Sequence, residues 1–295
     1  MSNRVTIDIV IPTYKNYDEI VNLIESFKQQ INVNINKIIL PITISGEECD
    51  EKIHAYCKEN NITYFDVNKD EFSHSLTREK AIKEFAESSV VVLMSQDVIL
   101  NKEDALYNLT KDVASKEVAY AYGRQICPKR SLEQFIRAKN YPSESYFVTK
   151  EDIDRMQIMA FFSSDAFSAL DRDIFIKIGG YQGYDIMMNE DMLYSHFVLQ
   201  NGFKKKYAAD AEVIHFHKLS IKQLYARYYD TGRFYRDVKL FDNYKSTDSG
   251  MKLAFYTLGQ CFKHFYIPGL FRWLPDMAAR YLGMKKGKKA KKEGK

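Results

Sequence analysis

The stretch VVLMSQDVIL, residues 91–100, starts as an uninterrupted apolar run, breaks at Ser95, Gln96 and Asp97, and then becomes apolar again. A short apolar run of this length is typical of a strand buried on both faces. Because an isolated ionised carboxylate is very costly in a protein interior, Asp97 is expected at the strand end, in a pair, or bound to a cation. The alternative is that Asp97 caps a helix near residue 101, since aspartate is common at helix starts.

The chain around this stretch repeats one unit, a short apolar strand followed by an amphipathic helix. In the first unit, RVTIDIVIPTY (4–14) is the predicted strand, and Ile20, Leu23, Ile24 and Phe27 share one face of the helix after it. Further strands are predicted at 36–45, 61–67 and 90–94, with helices near 47–59, 76–86 and 103–113. This alternation predicts an α/β fold with a Rossmann-like, mostly parallel central sheet flanked by helices. Ligands of such sheets bind beyond the carboxyl ends of the strands.

The charge of the chain is unevenly distributed. The net charge is +4, whereas the last eleven residues carry seven lysines and one glutamate, or +6, which leaves −2 for the other 284 residues. That balance argues against a nucleic-acid-binding surface and favours a basic tail. We expect three regions: an α/β domain at 1–220, a helical aromatic and basic region at 221–284, and a disordered lysine-rich tail at 285–295.

Membrane spans and disulfides are not indicated. No apolar run approaches the ~20 residues of a spanning helix, no signal peptide opens the chain, and the four cysteines contain no CxxC pair. A cytoplasmic protein with reduced thiols is therefore expected. The stretch FYIPGLFRWLPDMAARYLG (265–283) is aromatic and amphipathic and precedes the lysine tail, a combination that predicts peripheral attachment to an anionic membrane surface. The alternative is a helix that packs on the body of the protein or on a second copy in a homodimer.

Three further segments carry residues suited to chemistry. His74 and Arg78 flank a helix start, where backbone N–H groups and a guanidinium suit phosphate oxygens, although a surface His and Arg would give the same pattern. Glu190 and Asp191 follow a predicted N-cap at Asn189. Two adjacent carboxylates can raise the pKa of one of them towards that of a general base, although helix capping alone would explain both residues.

The third segment, EVIHFHKLS (212–220), places two imidazoles two residues apart. His215 and His217 would project from the same side of an extended segment and could supply nitrogen ligands to a Mn²⁺-like ion shared with Asp97. Two surface histidines are the alternative.

Taken in order, these segments resemble the family 2 glycosyltransferases with a GT-A fold, and within them the bacterial rhamnosyltransferase-like members. IVIPTYKN (9–16) resembles the opening nucleotide-binding strand, FSHSLTREKAI (72–82) the F-x-H-x-x-T-R-x-x-A segment, and LMSQDVIL (93–100) a variant of the metal-binding DxD motif. AYGRQ (121–125), NYPSES (140–145), 161–181, 189–217 and YYDTGRFYRD (228–237) match later blocks. The collinear set is far more specific than any single motif.

The resemblance implies an inverting transfer of a sugar, L-rhamnose from dTDP-β-L-rhamnose, to a hydroxyl of a lipid-linked glycan precursor in cell-surface polysaccharide synthesis at the inner membrane face. Other nucleotide donors (UDP-hexose or UDP-HexNAc) and a non-catalytic sugar-nucleotide-binding protein are the alternatives. Residues 1–220 would form the nucleotide-sugar-binding and catalytic domain. Asp191, with Glu190, would be catalytic there, and Asp97 with His215 or His217 would hold Mg²⁺ or Mn²⁺. Residues implied to contact the nucleotide-sugar are Pro12, Thr13, Tyr14, His74, Arg78, Ser95, Gln96, Asp97 and Arg124. Residues implied to contact the acceptor are Ser164, Asp165 and Glu190.

Two positions depart from the family pattern. Ser95 occupies the first acidic position of DxD, so metal binding would depend on one carboxylate. The second strand ends in Ile44-Ser45-Gly46, where many relatives carry Asp before the Ser-Gly turn, so the base would be recognised differently or through Thr13, Tyr14 or Asp66.

Overall fold

A computed structural model describes residues 4–245 and 247–291, with the side chains of 247–249 not described. The strands are β1 (Val5–Val10), β2 (Val33–Thr43), β3 (Thr63–Val67), β4 (Val90–Met94), β5 (Ile99–Leu100), β6 (Tyr120–Ile126), β7 (Tyr146–Val148), β8 (Phe167–Asp171) and β9 (Lys205–Ile214). The helices are α1 (Tyr17–Ser26), α2 (Glu48–Glu59), α3 (His74–Lys80), α4 (Ala105–Ala114), α5 (Leu132–Asn140), α6 (Ile153–Met156), α7 (Arg172–Ile178), α8 (Glu190–Gln200), α9 (Ile221–Asp237), α10 (Thr247–Lys263) and α11 (Ile267–Lys289).

The strands form one mixed sheet in the order β3-β2-β1-β4-β8-β6-β9-β5, with β7 paired to β9. The first four strands in this order run parallel, as the strand-helix alternation predicts. Beyond β4 the pairs β4/β8, β6/β8, β5/β9 and β7/β9 are antiparallel. The predicted α/β fold with its central sheet and helical C-terminal region is confirmed, and the antiparallel extension is an addition that the alternation of elements did not indicate.

Burial of the sheet and of the helix face that covers it accounts for the spacing of apolar residues along the sequence. Strand β4 is buried on both faces, as its continuous run Val90–Met94 predicts. Helix α1 covers one face through Ile20, Leu23 and Ile24, which recur at helical spacing and are buried. Because both faces are covered, the strand ends remain as the accessible edge where polar side chains can gather.

The chain divides into two compact units whose boundaries differ from those predicted. The first comprises residues 1–125, 142–151 and 161–215, and the second comprises 126–141, 152–160 and 216 onward. Segments 126–141 and 152–160 therefore belong with the C-terminal helices rather than with the sheet. Within the second unit, Leu132 and Phe135 of α5 form a small core with Cys261 of α10.

Helices α9 and α11 of the second unit pack with their backbones unusually close. An added Cβ at Gly283 would lie 2.5 Å from the carbonyl oxygen of Tyr225, and one at Gly287 would meet the carbonyl oxygen of Tyr229. Helix α11 therefore continues to Lys289, and the expected disorder of residues 285–295 is wrong for 285–289, because α9 fixes this last part of the helix. Residues 292–295 of the predicted tail lie outside the described residues.

None of the helices in residues 4–245 and 247–291 combines the length and apolar content that a membrane-spanning segment requires.

Candidate active site

The ends of β1 and β4 are joined by the side chain of Gln96. Its Oε1 accepts a hydrogen bond from the backbone N–H of Tyr14 (2.8 Å), and its Nε2 donates to the carbonyl oxygen of the same residue (3.2 Å). Thr13 is buried and its hydroxyl donates to the carbonyl oxygen of Ile11 (2.9 Å). The two strand-end loops are thus held against each other at the carboxyl edge of the parallel strands, and Pro12, partly exposed, lies in the same loop as Thr13 and Tyr14.

The structure brings Asp97, His215 and His217 together. One ligand atom of each residue lies within 4.8 Å of the other two, and His215 Nε2 is 3.4 Å from a carboxylate oxygen of Asp97. The pairing of β5 with β9 produces this arrangement, because Ile99 is opposite Ile214 in the antiparallel register. The two histidines therefore follow the end of β9 directly opposite the turn that carries Asp97.

The helix-capping alternative for Asp97 is wrong. Strand β5 follows this residue, and the next helix, α4, starts at Ala105 with Asp104 at its N-cap position. His215 is buried and its Nδ1 lies 2.8 Å from Oε1 of Gln125. Because an amide oxygen only accepts, this contact requires a proton on Nδ1 of His215 and leaves Nε2 facing Asp97. Second-sphere oxygens of this kind orient metal-binding imidazoles.

A group of buried charges surrounds the start of α8. The Arg78 guanidinium is 3% exposed and forms an ion pair with the Glu190 carboxylate. Its Nη2 also lies 3.4 Å from the carbonyl oxygen of Asp165. The backbone N–H of Asp165 in turn donates to Oδ2 of Asp191 (3.3 Å), whose Oδ1 accepts from the N–H of Met192 (2.6 Å). Arg78, Glu190, Asp165 and Asp191 therefore form one network.

Asp165 is held by hydroxyl groups rather than by a cation. Its carboxylate accepts hydrogen bonds from Tyr120 (2.6 Å), Ser168 (2.7 Å) and Tyr181 (3.2 Å). Both oxygens are thus engaged inside the protein. The predicted contact of Asp165 with an acceptor stays a prediction, and in the structure the residue supports the loop that bears Ser164. The carbonyl of Ala166 also accepts from the N–H of Ser95 (3.1 Å), which links this loop to the turn that carries Asp97.

The electrostatics of this network favour a proton on Asp191. Burial raises the pKa of Asp191 well above its ordinary value, and the neighbouring charges of Glu190 and Asp165 raise it further. Burial also raises the pKa of Asp165, against the opposing effect of the Arg78 cation. A carboxyl whose pKa is raised in this way is a stronger base once ionised, which is what deprotonation of a hydroxyl requires.

Lys205 is a buried cation that is connected by hydrogen bonds, through Ser195 and Ser163, to the backbone of Asp191. It is fully buried, and its ammonium donates to the carbonyl oxygen of Phe162 (2.7 Å) and to Oγ of Ser195 (3.2 Å). Ser195 is 2.9 Å from Ser163, whose hydroxyl donates to the backbone carbonyl of Asp191 (2.9 Å). Burial lowers the pKa of Lys205 to about 7, and the charge of Asp191 opposes that shift.

Other predicted residues have partners that the sequence did not indicate. The Arg124 guanidinium is paired with Glu212 (3.0 Å), and His74 Nδ1 lies 3.5 Å from Nη1 of Arg78. Asp66, suggested for base recognition, lies 2.8 Å from His54. Nucleotide contacts by Arg124, His74 and Arg78 stay predictions.

Several residues of the site were missed from the sequence. They are Gln125, Tyr120, Tyr181, Ser163, Ser195 and Lys205. Gln125 follows Arg124 in a quoted segment, so its position was visible, whereas its function depends on a contact across 90 residues. Lys205 carried no signal at all, because a lysine in a basic stretch such as FKKKY (203–207) is ordinarily exposed.

The carboxyl edge of the α/β sheet thus carries one acid and two imidazoles, Asp97, His215 and His217, and Asp191 lies in a network of buried charges at the start of α8. The family model described as "Glycosyl transferase family 2" matches residues 8–179, which is more than half of the chain. The chain therefore belongs to glycosyltransferase family 2, and the predicted family and enzyme class are confirmed. A glycosyltransferase of this family uses a nucleotide-sugar donor and a glycan acceptor.

Two curated relatives are rhamnosyltransferases of surface polysaccharide. The O-antigen chain rhamnosyltransferase RfbN of Salmonella typhimurium is 31% identical over 231 residues, 78% of this chain and 72% of that protein. The O-antigen chain rhamnosyltransferase WbaN of Salmonella anatum is 32% identical over 233 residues, 77% of this chain and 71% of that protein. These likenesses confirm the predicted resemblance to the bacterial rhamnosyltransferases and a place in polysaccharide biosynthesis.

Solved structures share the fold. The mannosyltransferase PcManGT of Pyrobaculum calidifontis, in complex with GDP-Man and Mn²⁺, aligns with a TM-score of 0.64 at 12% identity. The alignment covers 96% of this chain and 87% of the PcManGT chain. GalNAc-T7 with UDP, GalNAc and Mn²⁺ has a TM-score of 0.56 at 14% identity, covering 74% of this chain and 44% of its own. At these identities the similarity concerns the fold alone.

Proposed function

We propose that this glycosyltransferase moves L-rhamnose from dTDP-β-L-rhamnose to a hydroxyl of a lipid-linked glycan precursor, with inversion at the transferred carbon. The observation that carries the proposal is the convergence of Asp97, His215 and His217 at the strand ends. The choice of rhamnose is supported by the two relatives, which are 31% and 32% identical over most of the chain.

The donor would lie along the carboxyl edge of β1 and β4. The Gln96 side chain holds the Tyr14 loop in place there, so that Pro12, Thr13 and Tyr14 form a preformed wall for the nucleotide. Asp97, His215 and His217 fit a divalent cation, since carboxylate and imidazole are both common metal ligands. Because Mg²⁺ prefers oxygen ligands and two of these three are nitrogens, the donor set favours Mn²⁺. When bound, such an ion neutralises charge on the departing diphosphate.

The acceptor hydroxyl would lose its proton to Asp191. The backbone N–H groups of Asp165 and Met192 fix the two carboxylate oxygens, and the raised pKa of Asp191 strengthens it as a base. Glu190 raises the pKa of Asp191 through its charge and is itself held by the ion pair with Arg78. Ser164 lies in the adjoining loop, where it can contact the sugar acceptor.

A donor panel tests this function directly. Release of nucleoside diphosphate is measured from dTDP-rhamnose, UDP-glucose, UDP-GlcNAc and GDP-mannose, with and without a lipid-linked acceptor, in Mn²⁺, Mg²⁺ or chelator. We expect acceptor-dependent release from dTDP-rhamnose that Mn²⁺ supports best. Release from a UDP-sugar alone would refute the rhamnose assignment and keep the enzyme class. Nucleotide binding without transfer under any condition would favour the non-catalytic alternative.

We also propose that the enzyme acts at the inner face of the cell membrane, where lipid-linked precursors are exposed to nucleotide-sugars. Comparing the full chain in membrane and soluble fractions before and after a high-salt wash tests this location. Complete recovery in the soluble fraction at low salt would contradict it.

A further inference from the structure

Helix α11 presents an apolar face to solvent and buries a polar, small-residue face. Five large side chains, Ile267, Phe271, Leu274, Tyr281 and Leu282, are exposed to between 49% and 82%. Their spacing of 4, 7, 14 and 15 residues from Ile267 places them on one side of a helix with 3.6 residues per turn. This stripe, named here the α11 outer face, is the reverse of the usual arrangement, in which the apolar side of a helix is its packed side.

The opposite side of α11 makes the contacts within its unit. The buried residues of the helix are Gly269, Asp276, Ala279, Gly283 and Gly287. Asp276 is paired there with Arg280, whose Nε lies 2.6 Å from its carboxylate. The apolar side chains of the outer face are therefore not needed for packing, and their exposure is a property of the folded unit.

Helix α10 and the turn after it extend the same kind of surface. Phe255 and Phe262 are seven residues apart, so they share a side of α10, and they are 69% and 60% exposed; Phe265 in the turn is 85% exposed. In the described residues, nine of the sixteen exposed large hydrophobic side chains fall between residues 251 and 282. A large exposed apolar patch of this kind marks a surface that contacts a membrane or another protein.

Charge indicates which occupant this surface fits. Residues 250–291 contain nine lysines and arginines and a single acid, Asp276, which is buried. Lys285 and Lys289 lie 18 and 22 residues after Ile267 and so continue the line of the outer face. A second copy of the chain would bring its own positive charge against this one and no exposed acid from the same segment. An anionic lipid surface supplies both the apolar layer and the compensating charge.

We propose that the α11 outer face, with the exposed phenylalanines of α10 and its turn, inserts into the headgroup region of an anionic bilayer, with Lys285 and Lys289 against the lipid phosphates. This membrane contact specifies which surface would hold the enzyme at the proposed location. It rests on the proposed function only in that a lipid-linked acceptor requires the enzyme to act at a membrane.

Trp273 makes the binding measurable, because it is the only tryptophan of the chain. It lies between Phe271 and Leu274, and its Nε1–H donates to the carbonyl oxygen of Ala254 (3.0 Å). Full-length protein is titrated with phosphatidylcholine vesicles that contain or lack phosphatidylglycerol, and tryptophan emission and co-sedimentation are recorded. Binding to the anionic vesicles only, weakened by salt, is expected. Absence of binding to anionic vesicles would overturn the proposal.

Paired variants locate the surface. Phe271→Ser with Leu274→Ser should weaken partitioning about tenfold per side chain, whereas Ile31→Ser with Ile176→Ser, two exposed apolar residues elsewhere, should leave it unchanged. Lys285→Gln with Lys289→Gln should weaken it about fivefold per lysine. The lysine control is Lys28→Gln with Lys52→Gln, which removes the same charge from an exposed surface outside α11.

Unchanged emission of Trp273 in vesicle-free solution shows that a variant keeps the packing of α10 on α11. Equal loss of binding in the outer-face and control pairs would overturn the proposal. So would a concentration-dependent dimer, detected by sedimentation, that the Phe271 and Leu274 substitutions abolish, because a second copy would then cover the face. Transfer to a short soluble acceptor should be the same in all these variants. Failure of transfer in the unaltered protein with vesicle binding intact would refute the proposed function alone.

Discussion

Replacing the proposed base, Asp191→Asn, should weaken catalysis and at the same time stabilise the fold at neutral pH. The substitution keeps the size of the side chain and removes its charge. Burial and the charges of Glu190 and Asp165 raise the pKa of Asp191. The neutral carboxyl is therefore favoured in the folded protein, and ionising it at neutral pH costs folding free energy.

The raised pKa of Asp191 sets the sign and the size of the stability effect. The stabilisation due to the neutral Asp191 carboxyl is complete below the pKa of an unfolded aspartate and is lost as the pH rises through the raised folded pKa. Asparagine does not lose it, so the variant should gain on the wild type across that window by about 1.4 kcal/mol for each unit separating the two pKa values. Against this, an amide oxygen can accept only one of the two N–H bonds from Asp165 and Met192, a loss of about 1 kcal/mol at every pH.

Urea unfolding at a series of pH values, together with transfer rates, measures both effects. We expect Asp191→Asn to be the less stable protein in acid, to overtake the wild type as the pH rises, and to transfer sugar more slowly by a factor of about 10² to 10⁴. Asp18→Asn, an exposed acid in the first turn of α1, is the matched control; it should leave the transfer rate unchanged and alter stability by no more than about 1 kcal/mol, the usual contribution of a first-turn acid. A stability difference that is constant with pH would refute the raised pKa, and an undiminished rate would refute the role as base.

Four further predictions concern other parts of the structure. Arg78→Met should lower the free energy of unfolding by about 3–5 kcal/mol, because Glu190 stays buried without its cation. Asp97→Asn should weaken Mn²⁺-dependent donor binding at least about tenfold, measured by calorimetry, because the only carboxylate of the predicted metal site loses its charge. Lys205→Met should be most stable relative to wild type below pH about 7, where wild type carries a buried charge, and should lose that advantage as the pH rises. Gly287→Ala should cost about 1–3 kcal/mol by forcing α9 and α11 apart.

Each of these predictions has an outcome that contradicts it. A change below about 1 kcal/mol for Arg78→Met would mean that the pair is solvated. Equal tightening of the donor by Mn²⁺ in Asp97→Asn and wild type would place the metal elsewhere. A pH-independent effect of Lys205→Met would mean that the lysine keeps an ordinary pKa. For Gly287→Ala the control is Gly250→Ala, where an added Cβ has open space, and equal effects of the two would exclude close packing as the cause.

Local patterns in the sequence were sufficient for the elements of the sheet. The apolar run Val90–Met94 and the spacing of Ile20, Leu23 and Ile24 depend on neighbours within a few residues, and the structure has a strand and a helix at those places. Helix α8 begins at Glu190, directly after the predicted N-cap residue Asn189. Such signals survive because burial of one face is encoded by the period of the residues themselves.

The sequence by itself determined the α/β class, the order of strands and helices up to β4, and a short set of candidate residues, because these follow from periodicity and from residue chemistry. Only the tertiary structure decided which of those residues meet. The register of β5 on β9 places His215 next to Asp97, and tertiary packing places the buried Arg78 guanidinium next to the Glu190 carboxylate. The close approach of α9 turns the outer face of α11 towards solvent. Contacts between distant segments depend on the packing of whole elements, which no local pattern of residues specifies.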